Sequence, residues 1–415
     1  MAVTLFEDKQ NCCGCGACMN ACSHNAITMV EDEYGFVYPR VNTALCVDCG
    51  ICRRACGYQN PPMKATPAAC YAAVAKDEVL FRASSSGGVF PVLAVNVLER
   101  GGVVYGASML LEDTGFSPKH LRISQKKDLP LLQGSKYVQS DLSFTYRQAK
   151  EDLQNGKQVL YSGTPCQIAG LLQFLGREYD NLLTMEVICH GVPNARMFRD
   201  FIAGLEGKKQ KKVTGFAFRS KEKDQGKIVC IEYCGASGSK EKTLLGAQEY
   251  SYMCFFQNAC ISRESCYTCP FAEEERVADL TVGDFWGFWQ EHPNVSARAF
   301  AGNGTGVSCI LANTEKGLQI IRDSMADFVL VETGFEKVAR HNDQLSRPCR
   351  YSRERDELLR MYRQGGYPVL EAYFQSAYKR ERFVQRIISQ VPGEVRRSIK
   401  RAKGWIYKLS SRITE

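Results

Sequence analysis

Apolar and polar positions fall into three regimes along this chain. Through about residue 60, short apolar runs are broken every few positions by Cys and Gly, a texture of tight loops rather than long elements. Asn60 to Pro67 holds three Pro in eight residues and reads as a linker. From 68 to about 335, short apolar runs alternate with longer amphipathic stretches. Strands are expected at Tyr71–Ala75, Val103–Ala107, Val159–Tyr161, Leu182–Ile188, Val213–Arg219, Ile228–Tyr233, Val277–Val282 and Val307–Ala312. Helices are expected from the Ser84–Gly88 turn to about Arg100, near 143–155, from Pro165 to about Leu175, and over Glu315–Met325. This alternation predicts an α/β (α+β) fold with a mixed, partly parallel sheet, in which ligands gather beyond the carboxyl ends of the strands. From 336 to 415 the pattern is helical and charged. The expected units are 1–60, 68–335 and 336–415.

The cysteines give the first unit its chemistry. Cys12, Cys15, Cys18 and Cys22, then Cys46, Cys49, Cys52 and Cys56, repeat the spacing C-x2-C-x2-C-x3-C on the skeleton C-x-x-C-G-x-C-x-x-A-C. Three closely spaced thiolates wrap one cubane, and the fourth reaches the other. One 4Fe-4S cluster is therefore assigned to Cys12, Cys15, Cys18 and Cys56, and a second to Cys46, Cys49, Cys52 and Cys22. Zinc is the rival, but structural zinc uses paired C-x2-C knuckles. Residues 8 to 60 resemble two-cluster bacterial ferredoxins. The Pro that usually follows each fourth Cys is replaced by Ser23 and Gly57. Cys13 is a spare thiol read as packing.

Composition narrows the setting. No run of 18 apolar residues and no charged-then-apolar leader pattern occurs, so neither a membrane span nor a secretory signal is expected. Twenty cysteines then argue for a reducing cytoplasm rather than a disulfide scaffold. The net charge of +8 sits at the end of the chain: residues 378 to 415 hold eleven Lys/Arg against three Glu, leaving the remainder balanced. There Val395, Ile399, Ala402, Ile406 and Leu409 recur at helical spacing among Lys and Arg, with Trp405 at the flank. Such a basic amphipathic helix suits peripheral contact with an anionic membrane, or an acidic partner such as a soluble ferredoxin. No nucleic-acid reader motif accompanies the charge.

A second constellation lies in the middle unit. Cys266 and Cys269 form half of a metal site, and Cys166 and Cys189, at predicted strand ends, are the best-placed candidates to complete it. A Ser/Gly-rich turn at Ser85, Ser86, Gly87 and Gly88 offers backbone N–H groups to a pyrophosphate, although Ser at a helix start is as readily an ordinary cap. No G-x-G-x-x-G follows a strand, so a nicotinamide Rossmann site is not supported.

These motifs, with Gly134-Ser135-Lys136-Tyr137, Thr164-Pro165-Cys166-Gln167, Cys189-His190-Gly191 and Ala278 to Asp284, make residues 68 to 335 resemble the beta subunit of the deazaflavin coenzyme (F-420) hydrogenase and dehydrogenase family. The resemblance implies one FAD, one 4Fe-4S cluster on Cys166, Cys189, Cys266 and Cys269, and cofactor contacts from Ser85 to Gly88, Gly134 to Tyr137 and Asp284. Lys136 is a candidate to stabilise reduced flavin, and His190 to relay protons. Trp286 and Trp289 are read as core or pocket wall. Cys70, Cys230, Cys234, Cys254, Cys260, Cys309 and Cys349 are read as structural. The expectation is an iron–sulfur flavoprotein oxidoreductase acting on a small organic substrate or the deazaflavin coenzyme, with a non-catalytic electron-transfer subunit as the alternative.

Overall fold

The computed structural model describes residues 4–222, 228–296, 300 and 306–379. In the first sixty residues, strands β1 (Ile27–Glu31) and β2 (Val37–Val41) form an antiparallel ribbon. Two short helices, Ala17–Ala21 and Ile51–Arg54, each start at the Gly of a C-G-x-C repeat. Gly16 and Gly50 both have φ near +70° (74° and 70°), a left-handed turn that a residue with a Cβ resists and that lets the chain curl back on its cysteines.

The rest is built on an eight-stranded sheet. It comprises β3 (Ala69–Ala75), β4 (Val103–Glu112), β5 (Gly115–Ile123), β6 (Val159–Gly163), β7 (Leu182–Val187), β11 (Leu280–Asp284), β12 (Ser308–Ala312) and β13 (Phe328–Thr333), in the order β13-β3-β12-β11-β7-β6-β4-β5. Only the middle, β11-β7-β6-β4, is parallel. The flanking pairs are antiparallel. The intervening β8 (Lys212–Ser220), β9 (Ile228–Cys234) and β10 (Lys240–Gly246) form a separate antiparallel sheet.

Strand side chains alternate between two apolar layers, as the pleat requires. Val104, Leu160 and Leu183 enter one layer, with the helix Val89–Glu99. Val103, Tyr105, Val159, Tyr161 and Leu182 enter the other, with the helices Thr145–Gln154 and Pro165–Leu175. A third, aromatic core joins the small sheet to the helices Ala195–Lys209 and Arg355–Ala377, and takes in Phe36 and Tyr38 of the N-terminal ribbon.

Several elements differ from expectation. The helix expected to open at Ser84 starts after Gly88 and spans Val89–Glu99. The strand expected from Val277 begins at Leu280, because Asp279 instead accepts hydrogen bonds from the Thr184 amide and hydroxyl and from Thr314. Strands β5 and β10 were not foreseen, since polar Lys, His and Arg positions mask their alternation. The 336–379 stretch is helical only at Phe335–Ala339 and Arg355–Ala377 apart from short turns. The amphipathic pattern at 395–409 lies outside the described residues. Among those described, no helix is long and apolar enough to cross a membrane.

One buried ion pair ties the sheet to the loop that follows Cys269. Arg276 donates to Glu186 on β7 at 2.5 Å, and its other nitrogen donates to the carbonyls of Phe271 and Glu273. Both side chains are almost wholly excluded from solvent. Removing one partner strands the other charge, so Arg276→Leu is expected to cost about 3–5 kcal/mol, read from urea unfolding of anaerobically prepared protein.

Candidate redox site

The N-terminal cysteines gather in the crossed arrangement that their spacing requires. The thiols of Cys12, Cys15, Cys18 and Cys56 lie within one another's electrostatic reach. Cys52 is likewise close to Cys22 and Cys49, and Cys18, Cys22 and Cys46 pack around Ile27 and Cys52. The Ala26 amide donates to the Cys22 sulfur at 3.3 Å and the Gln59 side chain to Cys56 at 3.7 Å, contacts of the kind that tune a cluster's potential.

This module is pressed onto the helix Pro165–Leu175. A Cβ on Gly57 would stand 2.2 Å from the Ala169 carbonyl, and one on Gly170 would stand 2.9 Å from the Cys15 sulfur. Only glycine permits either approach. That helix begins in a capping box: Gln167 accepts from the Thr164 amide at 2.9 Å while Thr164 caps in return, with Pro165 at the first helical position. The motif Thr164-Pro165-Cys166-Gln167 thereby sets Cys166 in the first turn, just past the carboxyl end of β6.

Cys166, Cys189, Cys266 and Cys269 come together there. Cys189 is in electrostatic contact with the other three, and Cys269 with Cys166 and Cys266. Burial pushes the Cys266 and Cys269 thiols up to about 12, so without a metal they are neutral. As ligands they would need a cationic core to draw off their protons. Among the described residues no three His, Cys, Asp or Glu side chains converge to hold a single metal ion. Four sulfurs ranged about a larger space suit a cubane. Two more thiols join them. Cys13 hydrogen-bonds both Cys15 and Cys166, which pulls Cys166 down to about 7. Cys349 donates to the Cys266 carbonyl at 3.4 Å. Neither position carries a sequence signal that separates it from the packing cysteines.

A cavity of about 1000 Å³ opens beside these sulfurs, at the carboxyl ends of β6, β7 and β11. Its wall includes Cys13, Cys166, Cys189 and His190, and also Ser85, Ser86, Gly88, Gly134 to Tyr137, Asp284 and Trp286. Gly87 and Trp289 are not part of it. Gly87 approaches the sheet so closely that a Cβ would meet the Ala73 carbonyl at 2.1 Å, and Trp289 packs on Phe288. The serines do not cap the following helix. Ser85 accepts from the Ser135 amide at 2.8 Å and Ser86 donates to the Val307 carbonyl at 3.0 Å, stitching three loops into one wall.

Cationic and imidazole groups unforeseen from sequence complete the lining or brace it. Arg219 pairs with Asp284 and lies 5.5 Å from the Trp286 ring. Lys221 donates to the Phe81 and Ser86 carbonyls at 2.6 and 2.5 Å, and burial pulls it down to about 7. Buried His120 is held between Ser140 and the Ser162 carbonyl, and desolvation pulls it to about 4, so it stays neutral. Lys136 donates to the Leu132 and Gln133 carbonyls at 2.9 and 2.7 Å. Desolvation pulls it to about 7, within reach of a neutral amine.

The dicluster pattern and this thiol-walled cavity define an iron–sulfur protein of the electron-transfer class. Residues 11–60 match the model of the 4Fe-4S dicluster domain. Residues 156–337 match that of the C-terminal part of the coenzyme F420 hydrogenase/dehydrogenase beta chain, and the protein thus joins a two-cluster module to a region of that family. Among solved structures, a chain of the F420-reducing NiFe hydrogenase complex from Methanosarcina barkeri is similar at 15% identity, over 72% of this chain and 94% of that one, with a TM-score of 0.42. No curated protein matches.

Lys136 gives a pH test of the cavity. Its folded pKa of about 7 lies below the value of about 10.4 of an unfolded lysine, so the folded state binds fewer protons between them. Stability therefore rises with pH across that window, by up to about 1.4 kcal/mol per unit, and the penalty is complete below about pH 7. Between about pH 7 and 9 the wild type is expected to gain more unfolding free energy in urea than Lys136→Met.

Proposed function

We propose that the chain is an iron–sulfur flavoprotein oxidoreductase. The observation that carries this reading is that Cys166 and Cys189 share a wall of about 1000 Å³ of cavity with the Ser85–Gly88 and Gly134–Tyr137 turns. A cofactor in that space would touch a third 4Fe-4S cluster on Cys166, Cys189, Cys266 and Cys269. The units 1–60 and 68–335 would be the electron-transfer and flavin-binding parts.

The residues present fit FAD. The helix Val89–Glu99 has no side-chain cap, and Gly88 and Val89 line the cavity, so its first amides are available to a pyrophosphate. Lys221 braces the Ser86 carbonyl at the same turn, and the Arg219–Asp284 pair holds a guanidinium against Trp286. Bound there, FAD would supply exchange between single electrons and a hydride. Lys136 would hold or release a proton near neutral pH, and neutral His120 would orient Ser140 without charging the site. Arg350 and Arg353 are exposed on the cavity lining, which suits a substrate carrying negative charge.

Anaerobic preparation should yield about twelve iron and one FAD per chain, and Cys269→Ser about eight iron with the N-terminal clusters intact by electron paramagnetic resonance. Eight iron and no flavin in the wild type would leave an electron-transfer subunit instead. Reoxidation of the reduced flavin by the deazaflavin coenzyme decides whether that is the substrate; an unchanged flavin spectrum excludes it.

A further inference from the structure

The two N-terminal thiol groups face different surroundings. Cys15 is buried against Gly170 and Tyr146 in the body of the protein, whereas Cys49 is exposed. Around Cys49 the loop displays three large apolar side chains within seven residues: Leu45 is 49% exposed, Val47 58% and Ile51 39%. Such side chains gain nothing from water, and a clustered apolar surface beside a redox centre is the mark of a contact face. Its rim is basic. Between residues 40 and 59 stand three Arg and one acid, Asp48. Arg53 and Arg54 are exposed, Arg54 reaches toward Gly50, and neither joins an ion pair among the described residues.

We propose that this loop is the docking face for an acidic one-electron carrier protein. The proposal rests on the two-cluster reading of the N-terminal module. A small apolar centre excludes water over the cluster, and the arginine rim steers and orients an acidic partner; electron-transfer encounters of this kind bury little area. The exchange is balanced simply: the carrier loses one electron, the cluster held by Cys22, Cys46, Cys49 and Cys52 gains it, and no proton or atom moves. The opposite cluster, pressed on the helix that bears Cys166, faces inward, so entry at Cys49 gives the module a direction.

The test uses the full-length, iron-loaded protein and a purified, acidic two-cluster bacterial ferredoxin as probe. Stopped-flow mixing gives the second-order rate of electron transfer, and calorimetry with both proteins oxidised gives affinity directly. Val47→Asp, and separately Arg53→Glu with Arg54→Glu, are expected to lower both rate and affinity about tenfold at low salt. The arginine variant should also lose the fall in rate with rising salt. Iron content and reduction by dithionite alone should be unchanged. Equal rates and affinities in wild type and both variants, no reaction of the wild type, or binding only to a second copy of this chain would each overturn the proposal. Fewer than about eight iron in the wild type would instead overturn the two-cluster reading on which it stands.

Discussion

Arg263 is the constraint on which the arrangement of thiols depends. Its side chain is wholly buried, a position that is untenable for a charge without dense partnering. It donates to Gln139 at 3.0 Å, to the Cys12 carbonyl at 3.1 Å and to the Val37 carbonyl at 2.6 Å, and lies 4.5 Å from the Tyr38 ring. Gln139 in turn donates to the carbonyls of Cys13 and Gly14. One guanidinium therefore holds the first cysteine loop, the N-terminal ribbon and the loop leading to Cys266 in a fixed relation. Its field also favours the ionised forms of Cys12, Cys166 and Cys266. A fixed positive charge between two groups of thiolate ligands offsets their repulsion, which a neutral side chain of similar size could not do.

Rigidity at that seam comes from several further contacts of the same type. Tyr58 donates to the Ser265 carbonyl at 2.8 Å, and Arg147 donates to the Asn20 and Cys22 carbonyls at 2.7 and 2.8 Å. With Gly57 and Gly170 admitting close approach, the module is seated rather than tethered. Electron transfer rewards this, because its rate depends on a separation that a flexible linker would leave variable. Cys13, hydrogen-bonded to sulfurs of both groups, occupies the shortest bridge between them.

Much of this was legible in the sequence, for reasons specific to each part. Cysteine spacing constrains which thiols can share a cubane, so the crossed grouping of Cys56 and Cys22 could be read without a structure. Thr164-Pro165-Cys166-Gln167 is a local helix-start signal, and it did set its cysteine at a strand end. Strand direction was less accessible. An apolar run reports burial on both faces but not orientation, and β12, β3 and β13 proved antiparallel to their neighbours. The serine turn was harder still, since Ser before a helix has the same appearance whether it caps or, as here, bonds to Ser135 and Val307. Arg219, Lys221 and Arg263 gave no signal, because their roles arise from contacts with residues far away in the chain.

The cavity wall divides by origin, and the division bears on specificity. The turns at 84–88 and 134–137 and the Arg219–Asp284 pair are braced by backbone hydrogen bonds or by a buried ion pair, and suit a cofactor whose position must not vary. The stretch 342–353 is built otherwise. It lies beyond the region matching the beta-subunit family and has little regular structure, and it adds Arg350, Tyr351 and Arg353 to the lining with exposed side chains. Such a loop can change residues at small cost to the fold, whereas a change at Arg263 or Glu186 disturbs the seam or the sheet. On the proposed reading, recognition of the organic substrate belongs to this outer loop, and its arginines rather than the cofactor turns distinguish one anionic substrate from another.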